Sequence, residues 1–160
     1  MAGPCVFCEI VAGRRPAHLV LDEPEVVAFL DARPLFHGHT LVVPRLHVEL
    51  LADLPASLLA PVFGAAQRVS AAVVDALGAD GSFVANNNRV SQSVPHLHVH
   101  VVPRRRGDGL RGFFWPRTRY ANDDEAAAVA ARLRACASLS TTPSTTIPPT
   151  MGSGPAPAGP

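Results

Sequence analysis

Short β-rich runs of apolar residues, separated by turn residues, fill the first third of the chain and return before residue 104. The stretch AHLVLDEPEVVAFLD contains two such runs that meet around Asp22-Glu23-Pro24, which predicts a hairpin. The stretches HTLVVP, GSFVANN and HLHVHVVP add three further short strands. Together the runs predict an antiparallel sheet of about five strands.

Three other segments have helical features. Apolar side chains recur at steps of three and four residues over residues 55–77, and Gly78 follows the last of them. The stretch CVFCEIVAG predicts a short helix that ends at Gly13, and the acidic residues 123–125 open a final helix. The order β-β-β-α-β-β-α predicts an α+β fold with one long helix and a C-terminal helix.

The composition of the chain changes near Ala137. Residues 138–160 contain no charged side chain and are rich in Ser, Thr, Pro and Gly. Such a segment cannot bury enough apolar surface to offset the entropy lost on ordering. We therefore predict one folded domain over residues 1–137 and a disordered tail over residues 138–160.

The overall charge excludes some classes of partner. The 160-residue chain has a formal net charge of +1 with the histidines neutral, so no global field favours nucleic acid or a membrane surface. No uninterrupted apolar run reaches the roughly 18 residues of a membrane span. The N-terminus lacks the basic and apolar regions of a signal peptide. We expect a cytoplasmic protein.

Histidine is concentrated in the last predicted strand. Alternation of side chains puts His96, His98 and His100 on one face and aliphatic residues on the other, which is expected to pack on the long helix. The imidazoles would then face outward or into a cleft. If the strand HTLVVP pairs nearby, His39 and His47 flank the three. Metal chelation and nucleophilic chemistry both suit this pattern, and strict alternation argues against simple packing.

The cysteine pair Cys5 and Cys8 has the C-x₂-C spacing of zinc ligands. Its candidate partners are the imidazoles of His47 and His96, which would complete a structural Cys₂His₂ site. The alternative is that both cysteines are small buried residues of the opening helix.

At this point the motifs resemble a known family. HLHVHVV is similar to the H-φ-H-φ-H-φ-φ signature, with φ aliphatic, of the histidine-triad (HIT) superfamily of nucleotide hydrolases and transferases. The stretches CVFCEIVAG, VVAFLDARP, HGHTLVVPRLH, ADL and SQSVPHLHVHVVPR follow the family's order, so the resemblance covers Cys5 to about Pro103. The C-x₂-C opening resembles bacterial members that carry zinc.

The resemblance implies a mechanism that needs no catalytic metal. His98 would attack the α-phosphorus of a purine nucleotide and form a nucleotidyl-imidazole that water hydrolyses, and His100 and His39 would orient it. The substrate would be a dinucleoside polyphosphate or a nucleoside phosphoramidate. Zinc would be held by Cys5, Cys8, His47 and His96. The family is also generally homodimeric.

The family pattern assigns nucleotide contacts to a second set of residues: Asp31 for the ribose, and Gln92 and Ser93 for the phosphate or the leaving group. An asparagine of the run Asn86-Asn87-Asn88 would also contact the nucleotide; Asn86 is the candidate, and the pattern leaves the choice among the three open. Relatives carry an Ala-Gly pair where this chain has Val90-Ser91, and a Gly after the Asn pair is also replaced. The shape of this loop, and with it the leaving-group preference, stays open.

Two other function classes remain. The three histidines could ligate a catalytic metal, as in a metal-dependent hydrolase, or the chain could be a non-catalytic nucleotide-binding adaptor. The arginines that follow the triad could clamp distal phosphates or form loop salt bridges with Asp108. The aromatic stretch GFFWP could plug a core, line a dimer interface or stack on a base.

Overall fold

A computed structural model describes residues 5–110 and 119–139. The chain divides into two compact units, Met1–Gly112 and Phe113–Pro160. Residues 140–160 of the predicted tail, the GFFWP stretch and the side chain of Cys136 lie outside the described residues, while residues 138 and 139 are the last two of a helix. The predicted domain boundary near Ala137 stays a prediction.

The first unit contains the predicted sheet. Its elements, in chain order, are α1 Val6–Val11, β1 Leu19–Asp22, β2 Val26–Leu30, β3 Thr40–Pro44, α2 Ala56–Leu77, β4 Gly81–Asn86 and β5 Val99–Arg104. The five described strands are antiparallel and lie in the order β1-β2-β3-β5-β4. The short helix α1 precedes the sheet, a 3₁₀ turn (Leu51–Asp53) follows β3, and the long helix α2 connects β3 to β4. The predicted α+β fold is confirmed.

Helix α2 covers one face of the sheet. Its buried residues pack with Val26, Val42, Leu97 and Val99 in one core cluster. By length and apolar composition alone α2 could cross a membrane. Its buried stripe instead lies against the sheet of the same unit. Gly78 ends the helix with a left-handed φ of 61°, as the sequence predicts, because glycine adopts that conformation without steric cost.

Helix α1 covers the opposite face of the sheet. Phe7 is its buried residue and packs with Val27, Phe29, Leu41 and Val43 in a second core cluster. A six-residue helix is too short to be stable alone in water, so its stability depends on these tertiary contacts.

The second unit contains helix α3, Asp123–Leu139. Asn122 Oδ1 accepts the backbone N–H of Glu125 over 2.9 Å, and Glu125 Oε2 accepts the N–H of Ala121 over 2.6 Å. This reciprocal capping satisfies two N–H groups at the helix start and confirms the predicted helix.

The triad differs from its predicted setting in two respects. Strand β5 begins at Val99, so His96 and His98 precede it rather than belonging to it. Both side chains are also buried, and His96 is fully enclosed. They are buried because α1 lies over this part of the sheet and Phe7 contacts both rings. The aliphatic face does pack on α2, since Leu97 and Val99 belong to that core cluster.

Candidate active site

The chain just before β5 fixes the orientation of the His98 imidazole. The Nδ1–H of His98 donates to the backbone carbonyl of His96 over 2.7 Å. Because a neutral imidazole carries one proton, this bond leaves Nε2 unprotonated with a free lone pair. His98 is therefore held in the tautomer that a nucleophile or general base requires.

A second imidazole pair lies beside it. Pairing of Leu41 with His100 brings the start of β3 next to β5. The Nε2 atom of His39 is 3.0 Å from Nδ1 of His100, and His39 Nδ1 accepts the N–H of Leu35 over 3.3 Å. His39 accordingly donates from Nε2 to His100, which places the remaining proton of His100 on its own Nε2. The ring centroids of His98 and His100 are 4.8 Å apart.

Burial favours the neutral form of the His39 and His100 rings at physiological pH. Desolvation lowers the pKa of His39, and the Asp31 carboxylate only partly offsets it. Burial and the neighbouring His98 and His39 rings lower the pKa of His100 to about 4. A neutral imidazole keeps the lone pair that nucleophilic or base chemistry uses.

Asp31 lies at the edge of this histidine group. Its Oδ2 is 3.5 Å from Nδ1 of His39, and its Oδ1 accepts the backbone N–H of Arg33 over 2.8 Å. The side chain is partly exposed. A carboxylate at this position can accept hydrogen bonds from a bound molecule.

Apart from Asp31, the predicted nucleotide-contacting residues lie at the end of β4 and on the loop between β4 and β5. Most of the side-chain hydrogen bonds of Asn86 and Gln92 go to backbone groups. Asn86 Nδ2 donates to the carbonyl of His98 over 2.9 Å, and Asn86 Oδ1 accepts Asn88 Nδ2 over 2.7 Å. Gln92 Nε2 donates to the carbonyl of Glu49 over 2.7 Å, and its Oε1 accepts a backbone N–H over 2.8 Å. Ser93 is exposed. Asn86 and Gln92 thus shape the loop, and Ser93 is accessible to a ligand.

The departures from the family pattern coincide with backbone strain. Arg89 and Ser91 have φ of 65° and 61°, the only positive φ angles of non-glycine residues in the parts of the chain that the structure describes. Ser91 occupies the position of the family's glycine. The loop therefore keeps the backbone conformation that glycine would favour, at the cost of strain.

The Cys₂His₂ group assembles as the sequence predicts. His96 Nδ1 is 3.5 Å from Cys5 Sγ and 3.6 Å from Cys8 Sγ, and His47 Nδ1 is 3.2 Å from Cys8 Sγ. Tetrahedral zinc with ordinary bond lengths separates a sulfur ligand from a nitrogen ligand by about 3.5 Å. All four donor atoms lie within 4.8 Å of one another.

The donor chemistry of this group also fits a metal. His96 donates from Nε2 to the carbonyl of Pro44 over 2.9 Å, which leaves the Nδ1 lone pair facing the two sulfurs. Burial and the neighbouring Cys5 raise the pKa of the Cys8 thiol. Two thiolates side by side repel each other, and a cation bound between them would offset that repulsion.

Phe7 is the residue that the sequence did not indicate. Its ring meets the His98 ring edge-on, with centroids 5.3 Å apart and planes at 84°, and meets the His96 ring at 5.9 Å. Its position between the two cysteines was the only available signal. Spacing alone does not say which face of so short a helix turns toward the histidines.

The arginine loop lies at the other end of β5. Arg104 forms a bidentate salt bridge with Asp108, with nitrogen–oxygen distances of 2.6 and 2.9 Å. The Arg105 guanidinium donates to the carbonyls of Leu77 and Gly78 at the end of α2. Both guanidinium groups have structural partners, which favours loop salt bridges over a phosphate clamp. Arg111 and Arg117 lie outside the described residues.

The fold is α+β with an antiparallel sheet, and three neighbouring imidazoles lie beside a Cys₂His₂ group. This arrangement is the one expected of the histidine-triad class. Comparison with known families agrees, because the model of the HIT domain matches residues 12–107. The chain belongs to the HIT family.

Several relatives and one solved structure illustrate the similarity. A HIT-like protein of Mycobacterium tuberculosis is 42% identical over 67% of this chain and 76% of its own length. Adenylylsulfatase HINT3 of Arabidopsis thaliana is 35% identical over 66% of this chain and 55% of its own. Adenosine 5′-monophosphoramidase HNT1 of Saccharomyces cerevisiae is 31% identical over 63% of each chain. A zinc-bound histidine-triad protein of Mycobacterium smegmatis superposes with a TM-score of 0.64 at 36% identity, over 84% of this chain and 96% of that one.

Proposed function

We propose that this protein is a nucleotide hydrolase or transferase that cleaves its substrate at the α-phosphate through a covalent nucleotidyl-His98 intermediate. The observation that carries the proposal is the 2.7 Å bond from His98 Nδ1–H to the His96 carbonyl, which leaves Nε2 as the free nucleophilic nitrogen. The names of two relatives, an adenylylsulfatase and an adenosine 5′-monophosphoramidase, support a purine nucleotide substrate.

The first step would join His98 to the nucleotide. The Nε2 lone pair attacks the α-phosphorus, and the bond from phosphorus to the leaving group breaks with its electron pair on the leaving group. The ring becomes a cation, which the His96 carbonyl stabilises through the Nδ1–H bond. His100 donates from Nε2 to a phosphoryl or leaving-group oxygen, since His39 occupies its Nδ1.

The second step would release the product. Water attacks the phosphorus and releases one proton to solvent, the bond from Nε2 to phosphorus breaks, and the electron pair of that bond returns to the imidazole. The products are a nucleoside monophosphate and the original His98 tautomer. A transferase outcome follows if another nucleophile takes the place of water.

Substrate contacts are assigned to the partly exposed polar groups around the histidines. Asp31 would accept hydrogen bonds from the ribose hydroxyls, and Ser93 would contact the phosphates. Asn86 and Gln92 would act through the loop that they shape. A dinucleoside polyphosphate and a nucleoside phosphoramidate both present the α-phosphorus that this chemistry requires.

Zinc is assigned a structural role at Cys5, Cys8, His47 and His96, and the chemistry at His98 is assigned no catalytic metal. A bound zinc ion would neutralise the two thiolates and hold α1 against the sheet. The zinc-bound relative from Mycobacterium smegmatis supports the assignment.

A cytoplasmic homodimer is part of the same proposal. Strand β4 is an edge of the sheet, and Val84 on it is 43% exposed. Pairing of this edge with a second copy of the chain would satisfy its backbone groups.

A metal-dependent hydrolase that uses the triad as ligands is less well supported. Among the described residues, the groups that could hold a metal place His96 with the cysteines and His100 with Asp31 and His39. His98 belongs to neither group. The three triad imidazoles therefore do not converge on one ion.

The proposal is tested with purified protein and a panel of diadenosine triphosphate, diadenosine tetraphosphate and adenosine phosphoramidate. Wild type should release AMP, and mass spectrometry of quenched protein should find an adenylyl group on His98. His98→Ala should lose both signals and keep AMP binding, whereas the exposed His18→Gln should retain them. AMP binding without turnover of any substrate by wild type would instead support the adaptor alternative.

A further inference from the structure

Phe7 connects the Cys₂His₂ group to the proposed nucleophile. It lies between Cys5 and Cys8 in sequence, and its ring contacts His96, a residue of that group, and His98. The side chain is buried, at 7% exposure, so this position is fixed by packing on both sides. The same aromatic ring therefore touches both sites.

The hydrogen bond to His96 does not fix the His98 ring alone. The Nδ1–H···O bond and the covalent link through Cβ set the approximate ring plane, but they leave a range of χ1 and χ2 angles within hydrogen-bond tolerance. Two ring contacts narrow that range: the Phe7 edge contact at 84° and the His100 ring at 74°. Aromatic pairs in edge-to-face geometry contribute about 0.5–1.5 kcal/mol beyond buried area, enough to favour one ring plane.

The position of Phe7 depends in turn on helix α1. This helix has six residues, and the part of it that carries Phe7 is flanked by the two cysteine sulfurs. Without ligation, α1 is held by its apolar packing and by the hydrogen bond from the Arg45 guanidinium to the carbonyl of Val11. Ligation of Cys5 and Cys8 therefore adds a constraint on the placement of the Phe7 ring.

We propose that Phe7 is a positioning residue: it transmits ligation of Cys5 and Cys8 to the His98 imidazole and holds that ring in the plane from which Nε2 attacks. The inference rests on the proposed function for its catalytic consequence. Its structural part, a metal-dependent orientation of His98, stands independently of any substrate.

The first experiment uses the full chain labelled with ¹⁵N at histidine. The His98 ring signals are recorded in zinc-loaded protein and after chelation, for wild type, Phe7→Leu and Val27→Ala. Val27 is the matched control, because it is buried in the same cluster as Phe7 and has no aromatic ring to place on His98. Zinc content and thermal stability are measured on the same samples.

We expect zinc loading to give wild type and Val27→Ala one sharp set of His98 signals with a protonated Nδ1. Phe7→Leu should bind zinc with the same stoichiometry and yet show broadened or averaged His98 signals. His98 signals that do not respond to zinc in wild type would overturn the proposal. So would a response of Phe7→Leu equal to that of wild type.

The second experiment measures turnover of the zinc-loaded proteins only. It therefore tests the positioning role even if removal of zinc by a chelator unfolds the chain. Phe7→Leu should lower kcat by about two- to tenfold relative to Val27→Ala, with the same fall in the rate of His98 adenylylation. Equal kcat values for the two variants would contradict the positioning role. If wild type adenylylates no substrate, the proposed function fails, while the ¹⁵N measurement still decides the coupling.

Discussion

The His98 imidazole donates a 2.7 Å hydrogen bond to the backbone carbonyl of His96, while the His96 imidazole faces the sulfurs of Cys5 and Cys8. His96 thus contributes to two candidate sites, with its side chain in the Cys₂His₂ group and its backbone carbonyl at the proposed nucleophile, His98. Leu97 lies between the two histidines in sequence and packs in the core under α2. It therefore holds the segment in place while the His96 and His98 side chains contact different groups.

The first prediction concerns the metal-binding group. Cys8→Ser removes one of four donors, so the zinc content of purified protein should fall well below one ion per chain. Loss of the bound ion should lower the free energy of unfolding by about 3 kcal/mol, the stabilisation given by a ligand at a few hundred times its Kd. Metal analysis and urea unfolding check this. His18→Gln is the control and should keep both zinc and stability; equal zinc in the two variants would contradict the assignment.

The second prediction concerns Asn86, whose side chain donates to the backbone carbonyl of His98. Asn86→Ala should lower stability by about 1–2 kcal/mol, because the buried carbonyl loses its partner. A small displacement of His98 can cost up to about a hundredfold in rate, so kcat should fall by about ten- to a hundredfold. Asn87→Ala is the matched control, since Asn87 makes a longer, exposed bond of 3.4 Å to the Ser91 carbonyl. Similar kcat values for the two variants would show that Asn86 does not position His98.

Much of this architecture follows from local sequence signals. The long helix ends at Gly78 as its pattern predicts, and the hairpin forms around Pro24, because periodicity and turn residues act over a few positions. The burial of His96 and His98 was not predictable in this way. It arises because α1, distant in sequence, lies over them, and strand alternation says nothing about what covers a face.

The site residues divide along the same lines. The four candidate metal ligands could be proposed from spacing and family resemblance, because zinc chemistry restricts the types of ligand, and the structure brings them together. The contact between Phe7 and His98 could be identified only from the structure, because a phenylalanine side chain has no ligand or catalytic group that a sequence motif would reveal. The partners of Arg104 and Arg105 also became clear only when the loop and the end of α2 came together.

The third prediction concerns strain at Ser91, which has a φ of 61°. Left-handed backbone costs a non-glycine residue about 1–2 kcal/mol, and the added flexibility of glycine in the unfolded chain returns about 0.5–1 kcal/mol of that. Ser91→Gly should therefore raise the free energy of unfolding by about 0.5 kcal/mol. Ser93→Gly should lower it, because Ser93 is not among the positive-φ residues of the described chain. Denaturant titration measures both changes, and a loss of stability in Ser91→Gly would contradict the assigned strain.

The fourth prediction concerns the dependence of stability on pH through His100. Its pKa is lowered to about 4 in the folded protein, first by burial and then by the His98 and His39 rings. An unfolded histidine has a pKa near 6.5, so between about pH 6.5 and 4 the unfolded chain binds a proton that the folded chain does not. Stability should accordingly be full above pH 6.5, fall as the pH drops toward 4, and level off below it as far as this group is concerned.

His100→Gln isolates this contribution, because glutamine does not titrate and can still accept a hydrogen bond from His39. Proton competition for the cysteines, His47 and His96 is common to wild type and variant, so it cancels in the difference between their unfolding free energies. The difference therefore reports His100 together with its electrostatic interaction with His39 and His98. That difference should change between pH 7 and pH 4.5, with wild type losing more stability on acidification. Parallel curves over this range would mean that His100 is not held neutral by its surroundings, and a steeper fall in the variant would reverse the sign of the assigned pKa change.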